Sequence, residues 1–128
     1  MKEICAIIRI DKINETKRAL ADAGFPSVTA KKCIGRGKGN VEYMIRSGVD
    51  ADELEESSNA AEKGPKFMPK RMLTIVVPDS RKDKAVEALI RSNQTGKPGD
   101  GRIFVMPVLD AVRIRTGEEG DTAIDEQF

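Results

Sequence analysis

The sequence predicts an α+β fold in which two strand–helix–strand units build one antiparallel sheet, with both helices on the same face. Three observations carry that expectation. Two apolar runs, Ile4–Ile10 and Met72–Val77, read as strands. Each is followed by an amphipathic helical pattern. Each helical pattern is followed by another strand-like segment, Val28–Ile34 after the first and Ile103–Val108 after the second.

The elements follow in order. After the first strand, Asp11 has the position of a helix N-cap, and the helix over Lys12–Ala23 turns Ile13, Lys17, Leu20 and Ala21 to one side. Gly24 ends it, because glycine adopts the left-handed conformation at a helix C-terminus without steric cost. After the third strand Pro78 intervenes, and Asp79 or Ser80 caps a helix over Arg81–Arg91. Ser80 and Asp83 have capping-box spacing, and Ala85, Val86, Leu89 and Ile90 face inward. This repeated plan is the ferredoxin-like βαβ-βαβ sandwich.

Ile4–Ile8 and Leu73–Val77 are nearly continuous in hydrophobicity, whereas a half-buried strand alternates. Burial on both faces is therefore expected, and helices cover only one. A trimer with the sheets lining its centre would cover the other; a C-terminal tail folding back would too. Residues 1–128 are expected to be one domain, with a long insertion at about 35–70 and a tail at about 113–128. The insertion contains the acidic run Asp50–Glu56, which as a charge run is solvated and in a projecting loop becomes a docking surface.

Composition narrows the function classes. The formal net charge is +1, and with four Phe, one Tyr and no Trp neither a nucleic-acid coat nor a stacking platform is expected. The apolar runs are too short to span a bilayer and no signal peptide precedes them, so a cytoplasmic protein is expected. Histidine is absent, which removes the commonest general base and metal ligand. Cys5 and Cys33 make no metal-ligand pattern and are expected to be small buried hydrophobes.

The chemistry concentrates at Thr95–Val108, TGKPGDGRIFVMPV, and the Arg113-Ile-Arg115-Thr-Gly segment after it. Gly96, Gly99 and Gly101 let a bulky polyanion approach the main chain, and Arg102, Arg113 and Arg115 carry planar charged forks suited to phosphate oxygens. No Walker-type loop is present, and the other glycine cluster, Gly35–Asn40, ends in Asn where a dinucleotide fingerprint needs glycine.

These residues resemble the PII signal-transduction proteins, trimeric sensors of nitrogen status. The likeness runs through Thr95-x-x-x-Gly99-Asp100-Gly101-Arg102-Ile103-Phe104-Val105, Arg113–Gly120 and Ala123-Ile124. Ala6–Ile8, Val28-Thr29, Gly35-x-Gly37 and Ile75–Asp79 match in order. The resemblance implies ATP or ADP in clefts between neighbouring subunits. Gly99, Asp100, Gly101, Arg102, Arg113 and Arg115 would hold phosphates; Ile7, Val28, Thr29 and Val76 would surround the nucleoside; and Gly35, Gly37 and Lys38 would close over it. It further implies 2-oxoglutarate beside ATP and magnesium, with Lys70, just before the third strand, on its carboxylate and Gly39 where the family usually has Gln.

Between Gly37 and the third strand the chain is about a dozen residues longer than is usual in the family, a change a loop absorbs at small entropic cost. Tyr43, the only tyrosine, sits near the loop's start and not where the family's modified tyrosine stands. This loop is similar to that of the branch encoded in nitrogen-fixation gene clusters, in particular its longer paralogue. That likeness implies a sister paralogue, a trimer or mixed hexamer, and the catalytic component of nitrogenase as the target, inhibited when fixed nitrogen is plentiful. A PII adaptor for an ammonium channel or glutamine synthetase is the alternative. A slow nucleotide-hydrolysing enzyme is a third reading, against which no nucleophile with an evident base accompanies the cradle.

Overall fold

The computed structural model describes residues 1–37 and 67–124. Lys38, Gly39, Tyr43, the acidic run at 50–56 and the last four residues lie outside them. Strand β1 spans Lys2–Arg9, helix α1 Ile13–Asp22, β2 Thr29–Gly35, β3 Met68–Val77, α2 Lys82–Asn93, β4 Arg102–Pro107 and the short α3 Asp121–Ile124. The sheet is antiparallel in the order β2-β3-β1-β4. This is the expected ferredoxin-like arrangement, with α1 packed on α2.

Burial alternates along the two central strands. Ile4, Ala6 and Ile8 of β1 and Leu73, Ile75 and Val77 of β3 are buried together with Leu20, Phe25, Ala85 and Leu89 from the helical layer. Alternation is the pleat at work, since successive side chains leave a strand on opposite faces. The second face carries Cys5, Ile7, Met72 and Val76, all half-buried. Beside them on β4, Phe104 and Met106 are 45% and 39% exposed. The tail through Ile124 therefore leaves this face open. Both cysteines depart from the expected burial, because their strand positions put them on the open face: Cys5 pairs in register with Phe104 and Thr74, and Cys33 with Lys70.

Neither helix uses the expected cap. Turns of 3-10 helix at Ile10–Lys12 and Asp79–Arg81 lead directly into α1 and α2, and Asp11 and Asp79 lie inside them with no side-chain cap bond. The capping box from Ser80 is likewise absent; the tighter turns take its place. The inward stripe of α1 is also rotated from the expected one. Thr16 and Leu20 are buried, with Ile13 and Ala23 packed against the core, while Lys17 and Ala21 face solvent. Burying Thr16 costs little because its hydroxyl donates to Lys12 O at 2.7 Å and accepts from Asn93 Nδ2 at 3.0 Å, tying α1 to α2.

The C-terminus of α1 follows expectation. Gly24 has φ +94°, and the N–H groups of Gly24 and Phe25 bond Ala21 O at 3.0 Å and Leu20 O at 2.7 Å, a Schellman motif that buries Phe25. Strand β3 starts earlier than expected. Lys70 stands inside it, opposite Arg9, because the hairpin ladder continues through Ile34–Pro69 and Gly35–Met68 beyond the end of β1. Pro69, lacking an N–H, is tolerated where the strand pairs on one side only.

Candidate functional site

The glycine turn between α2 and β4 is held by a carboxylate. Asp100 Oδ2 accepts from the N–H groups of Thr95 at 2.8 Å and Gly96 at 2.9 Å, and Oδ1 accepts from the Thr95 hydroxyl at 2.5 Å and from Arg9 Nη1. Arg9 Nη2 also donates to Pro98 O at 2.8 Å, and Lys70 Nζ donates to Gly99 O at 3.2 Å. Two cations from the adjacent ends of β1 and β3 thus grip the outside of the turn. Gly96, Gly99 and Gly101 all have positive φ, the conformation that lets so short a segment fold around one side chain. Gly101 has a second reason to be glycine: a Cβ there would stand 1.8 Å from Ile7 O.

The hydroxyl and N–H of Thr95 hold the Asp100 carboxyl far below the usual carboxylate range, with help from Arg9 and the Gly96 N–H and against the desolvation that opposes them. A depressed folded value means that the ionised form stabilises the turn at every pH above the ordinary Asp value of about 3.9, and that the contribution is lost only as pH falls through the depressed value. The amide resonances of Thr95 and Gly96 should therefore stay fixed from pH 7 down to about 4. A titration of those amides with its midpoint at the ordinary value would show that this network does not form.

The remaining expected residues separate into two groups. At the Arg9 end of the sheet lie Ile7, Arg102 and Lys70, joined by the turn; Ile7 pairs with Arg102 and Met72. Gly35 pairs with Met68 at the loop base, where Arg36 stands 5.0 Å over the Phe67 ring, and Gly37 is the last described residue before the loop. At the other end lies Val76, opposite Glu3, four residues and so roughly 13 Å along the ladder from Ile7. Val28 and Thr29 enter the sheet on the far edge strand, with Thr29 opposite Thr74.

Arg113 belongs to this second group. Its guanidinium is bound to Glu118 Oε1 at 3.1 Å and to Thr122 O at 3.0 Å, and α3 lies against β3, where Ile124 lines one pocket with Phe25 and Val77. Arg115 is exposed nearby. The expected convergence of Arg102, Arg113 and Arg115 on the glycine turn does not occur within one chain, because the β1–β4 pairing sends the chain from the turn to the opposite end of the sheet. Among the described residues no group of three acidic or thiol side chains could hold a metal.

Arg9 holds the turn and was passed over by sequence reasoning, and Thr95, which opens the motif, was given no role of its own. A lone cation closing the apolar run Ile4–Ile10 was the available signal for Arg9. Its partners lie 86 to 91 residues away, beyond the reach of any local pattern.

Among known proteins, the family model described as nitrogen regulatory protein P-II matches residues 1–118. The chain is 45% identical to the nitrogen fixation nifHD region GlnB-like protein 2 of Methanobacterium ivanovii, across 97% of this chain and 99% of that one. It is 43% identical to the protein of the same description from Methanothermococcus thermolithotrophicus (97% and 98%), and 43% identical to nitrogen regulatory protein P-II 1 of Escherichia coli (97% and 100%). The crystal structure of Arabidopsis thaliana PII bound to citrate superimposes with a TM-score of 0.72 at 28% identity, over 99% of this chain and 92% of that one. No described helix is long and apolar enough to cross a membrane.

Proposed function

Because the chain belongs to the nitrogen regulatory P-II family, whose members are signal-transduction regulators and not enzymes, we propose that it binds ATP or ADP between neighbouring copies of itself and passes 2-oxoglutarate status to nitrogenase by direct contact. One observation carries the nucleotide part: the glycine turn with Arg102 and the arginine pair Arg113/Arg115 occupy opposite ends of one sheet. A ring of chains brings the turn of one copy to the arginines of the next. The half-exposed apolar face of Cys5, Ile7, Met72, Val76, Phe104 and Met106 supports a trimer built sheet to sheet, or a mixed hexamer with a sister paralogue, since contiguous apolar surface rarely stays open to water.

In this reading the N–H groups of Thr95, Gly96 and Lys97 are spent inside the turn, and phosphate oxygens meet the Gly99–Gly101 main chain and Arg102. Asp100 shapes the turn and does not itself touch phosphate, because its carboxylate would repel it. Ile7, Val28, Thr29 and Val76 line the nucleoside; Gly35, Gly37 and Lys38 close over it. Gly35 and Gly37 have open space where a Cβ would be, which suits a close ligand approach. A magnesium ion arrives with the phosphates. Lys70, with Arg9 opposite it, supplies positive charge for the carboxylates of 2-oxoglutarate near Gly39. The citrate bound to Arabidopsis thaliana PII is a carboxylate ligand of the same character.

The target assignment rests on the likeness to the nifHD-region proteins. Deleting Val49–Ala61 should leave ATP affinity and assembly unchanged and abolish co-purification with nitrogenase. Lys70→Ala should keep co-purification but blunt its release by 2-oxoglutarate. A deletion protein that still retains nitrogenase on a pull-down column would place the output surface elsewhere, and a protein sedimenting as a monomer at micromolar concentration would remove the ring.

A further inference from the structure

Beyond the start of α1 the sheet outruns its helical layer. Strand β1 ends at Arg9 and turns into the 3-10 helix at Ile10–Lys12, while the β2–β3 ladder continues through Lys32–Arg71 and Ile34–Pro69 to Gly35–Met68. Leu73, Ile75 and Val77 mark the face of β3 that the helices cover. The pleat puts Arg71 and Pro69 on that same face, together with their register partners Lys32 and Ile34. With Ile10 and Cys33 these four line an open groove of about 570 Å³. Ile34 is 68% exposed and Ile10 41%.

The groove carries charge without counter-charge. Lys32 and Arg71 stand directly opposite each other, and like charges at facing positions of a ladder repel across Cβ atoms about 5 Å apart. Elsewhere Lys2, Lys12, Lys82 and Arg91 each have an acid beside them. Among the described residues Lys32 and Arg71 have none; the bond Arg71 makes runs from Nη1 to Lys70 O at 3.3 Å. No carboxylate lines the groove, and Asp11, the acid next to Ile10, lies outside the lining. A carboxylate set between the two cations would turn their repulsion into attraction.

Charged and apolar positions are spaced by one step of the pleat. The Lys32–Arg71 and Ile34–Pro69 pairs are two residues apart on their strands, about 7 Å. Residues i and i+4 of a helix stand about 6 Å apart on one face. An incoming helix can therefore place a glutamate between the cations and a leucine on Ile10, Ile34 and Pro69. It would continue the layer that α1 and α2 leave unfinished over this end of the sheet.

We infer that this groove is a docking site for an amphipathic helix of a partner protein, one with acidic residues beside an aliphatic stripe. None of the lining residues is among those proposed for nucleotide or 2-oxoglutarate. By the same alternation, Arg9 and Lys70 lie on the opposite face of the sheet.

Fluorescence anisotropy with the full chain, without nucleotide or 2-oxoglutarate, tests it with two labelled alanine-based helical peptides. One carries Leu and Glu at i and i+4, the other Leu and Lys. Saturable binding of the Glu peptide is expected, with amide shifts centred on Lys32, Ile34 and Arg71, and no binding of the Lys peptide. Lys32→Glu/Arg71→Glu should reverse the choice, losing the Glu peptide by roughly tenfold or more and gaining the Lys peptide. Ile34→Ser should weaken the Glu peptide with the fold intact, and it decides if the charge-reversed chain fails to fold. Absent binding, equal binding of the two peptides, or no reversal in a folded charge-reversed chain overturns the site. So does inorganic phosphate giving the same shifts while Ile34→Ser has no effect, which would mean a site for small anions. A charge-reversed chain that sediments with fewer copies than the wild type would give the groove to a second copy and overturn it too. Because no nucleotide is present, each of these leaves the P-II nucleotide reading untouched.

Discussion

Gly101→Ala should destabilise the protein by about 2–4 kcal/mol and abolish measurable ATP binding. The added Cβ would lie 1.8 Å from Ile7 O and 3.0 Å from its carbonyl carbon, so the backbone itself must move, and φ +107° is strained for any L-residue even in open space. Ile7 O belongs to the central strand, held on both sides by β3 and β4, so the turn has to yield. Yielding drags Asp100 away from Arg9 and spoils the main-chain surface offered to phosphate. Gly96→Ala is the internal control: at φ +82° with nothing within 4 Å of its Cβ, it carries the conformational cost alone, about 1 kcal/mol. Urea denaturation and ATP calorimetry on the two variants read both quantities. Equal effects from the two would mean that contact with Ile7 is not what makes Gly101 glycine.

Replacing Arg113 and Arg115 together by Ala should cost ATP binding about 3–6 kcal/mol, two charge-assisted contacts at about 1.5–3 kcal/mol each, which is a loss of roughly a hundredfold to ten-thousandfold. Arg113 also holds Glu118 and the carbonyls of Thr122 and Ala123, so its loss loosens the tail as well; Arg115→Ala alone isolates the ligand contribution. The informative experiment mixes chains. Gly101→Ala protein lacks the turn and the double arginine variant lacks the forks, and neither should bind ATP alone. Co-assembled, some interfaces join an intact turn to intact arginines, and calorimetry should recover a fraction of the sites. No recovery from a mixed assembly shown by mass spectrometry to contain both chains would confine the site to single chains, contrary to the separation of the two groups along the sheet.

Part of the candidate site's geometry was legible in the sequence. Gly96, Gly99 and Gly101 announced a turn of special conformation, and all three have positive φ. Lys70 entered only through the family resemblance, as a partner for 2-oxoglutarate, and its bond to Gly99 O was not foreseen. Arg102 and Arg113 announced a shared cluster, and one chain holds them apart. Spacing in sequence reports proximity only within an element or a short turn; here a whole strand lies between, and a strand carries its ends about 3.3 Å apart per residue. The caps failed for a more local reason: Asp11 and Ser80 have the right chemistry, but each lies inside a 3-10 turn that leads into its helix, and no side-chain cap bond forms there.

The sequence by itself determined the order of strands and helices and the Schellman end of α1 at Gly24, because each depends on contacts a few residues apart and on intrinsic backbone preference; the inward faces were read less well, since Lys17, Ala21 and Ile90 are exposed. Only the tertiary structure decided three further things: the sheet order β2-β3-β1-β4, the grip of Arg9 on Asp100, and the meeting of Thr16 with Asn93. Those pairs are separated by 91 and 77 residues. Their partners are chosen by which strand neighbours which and which helix faces which, a choice made by burying the common core and written in no single segment of the chain.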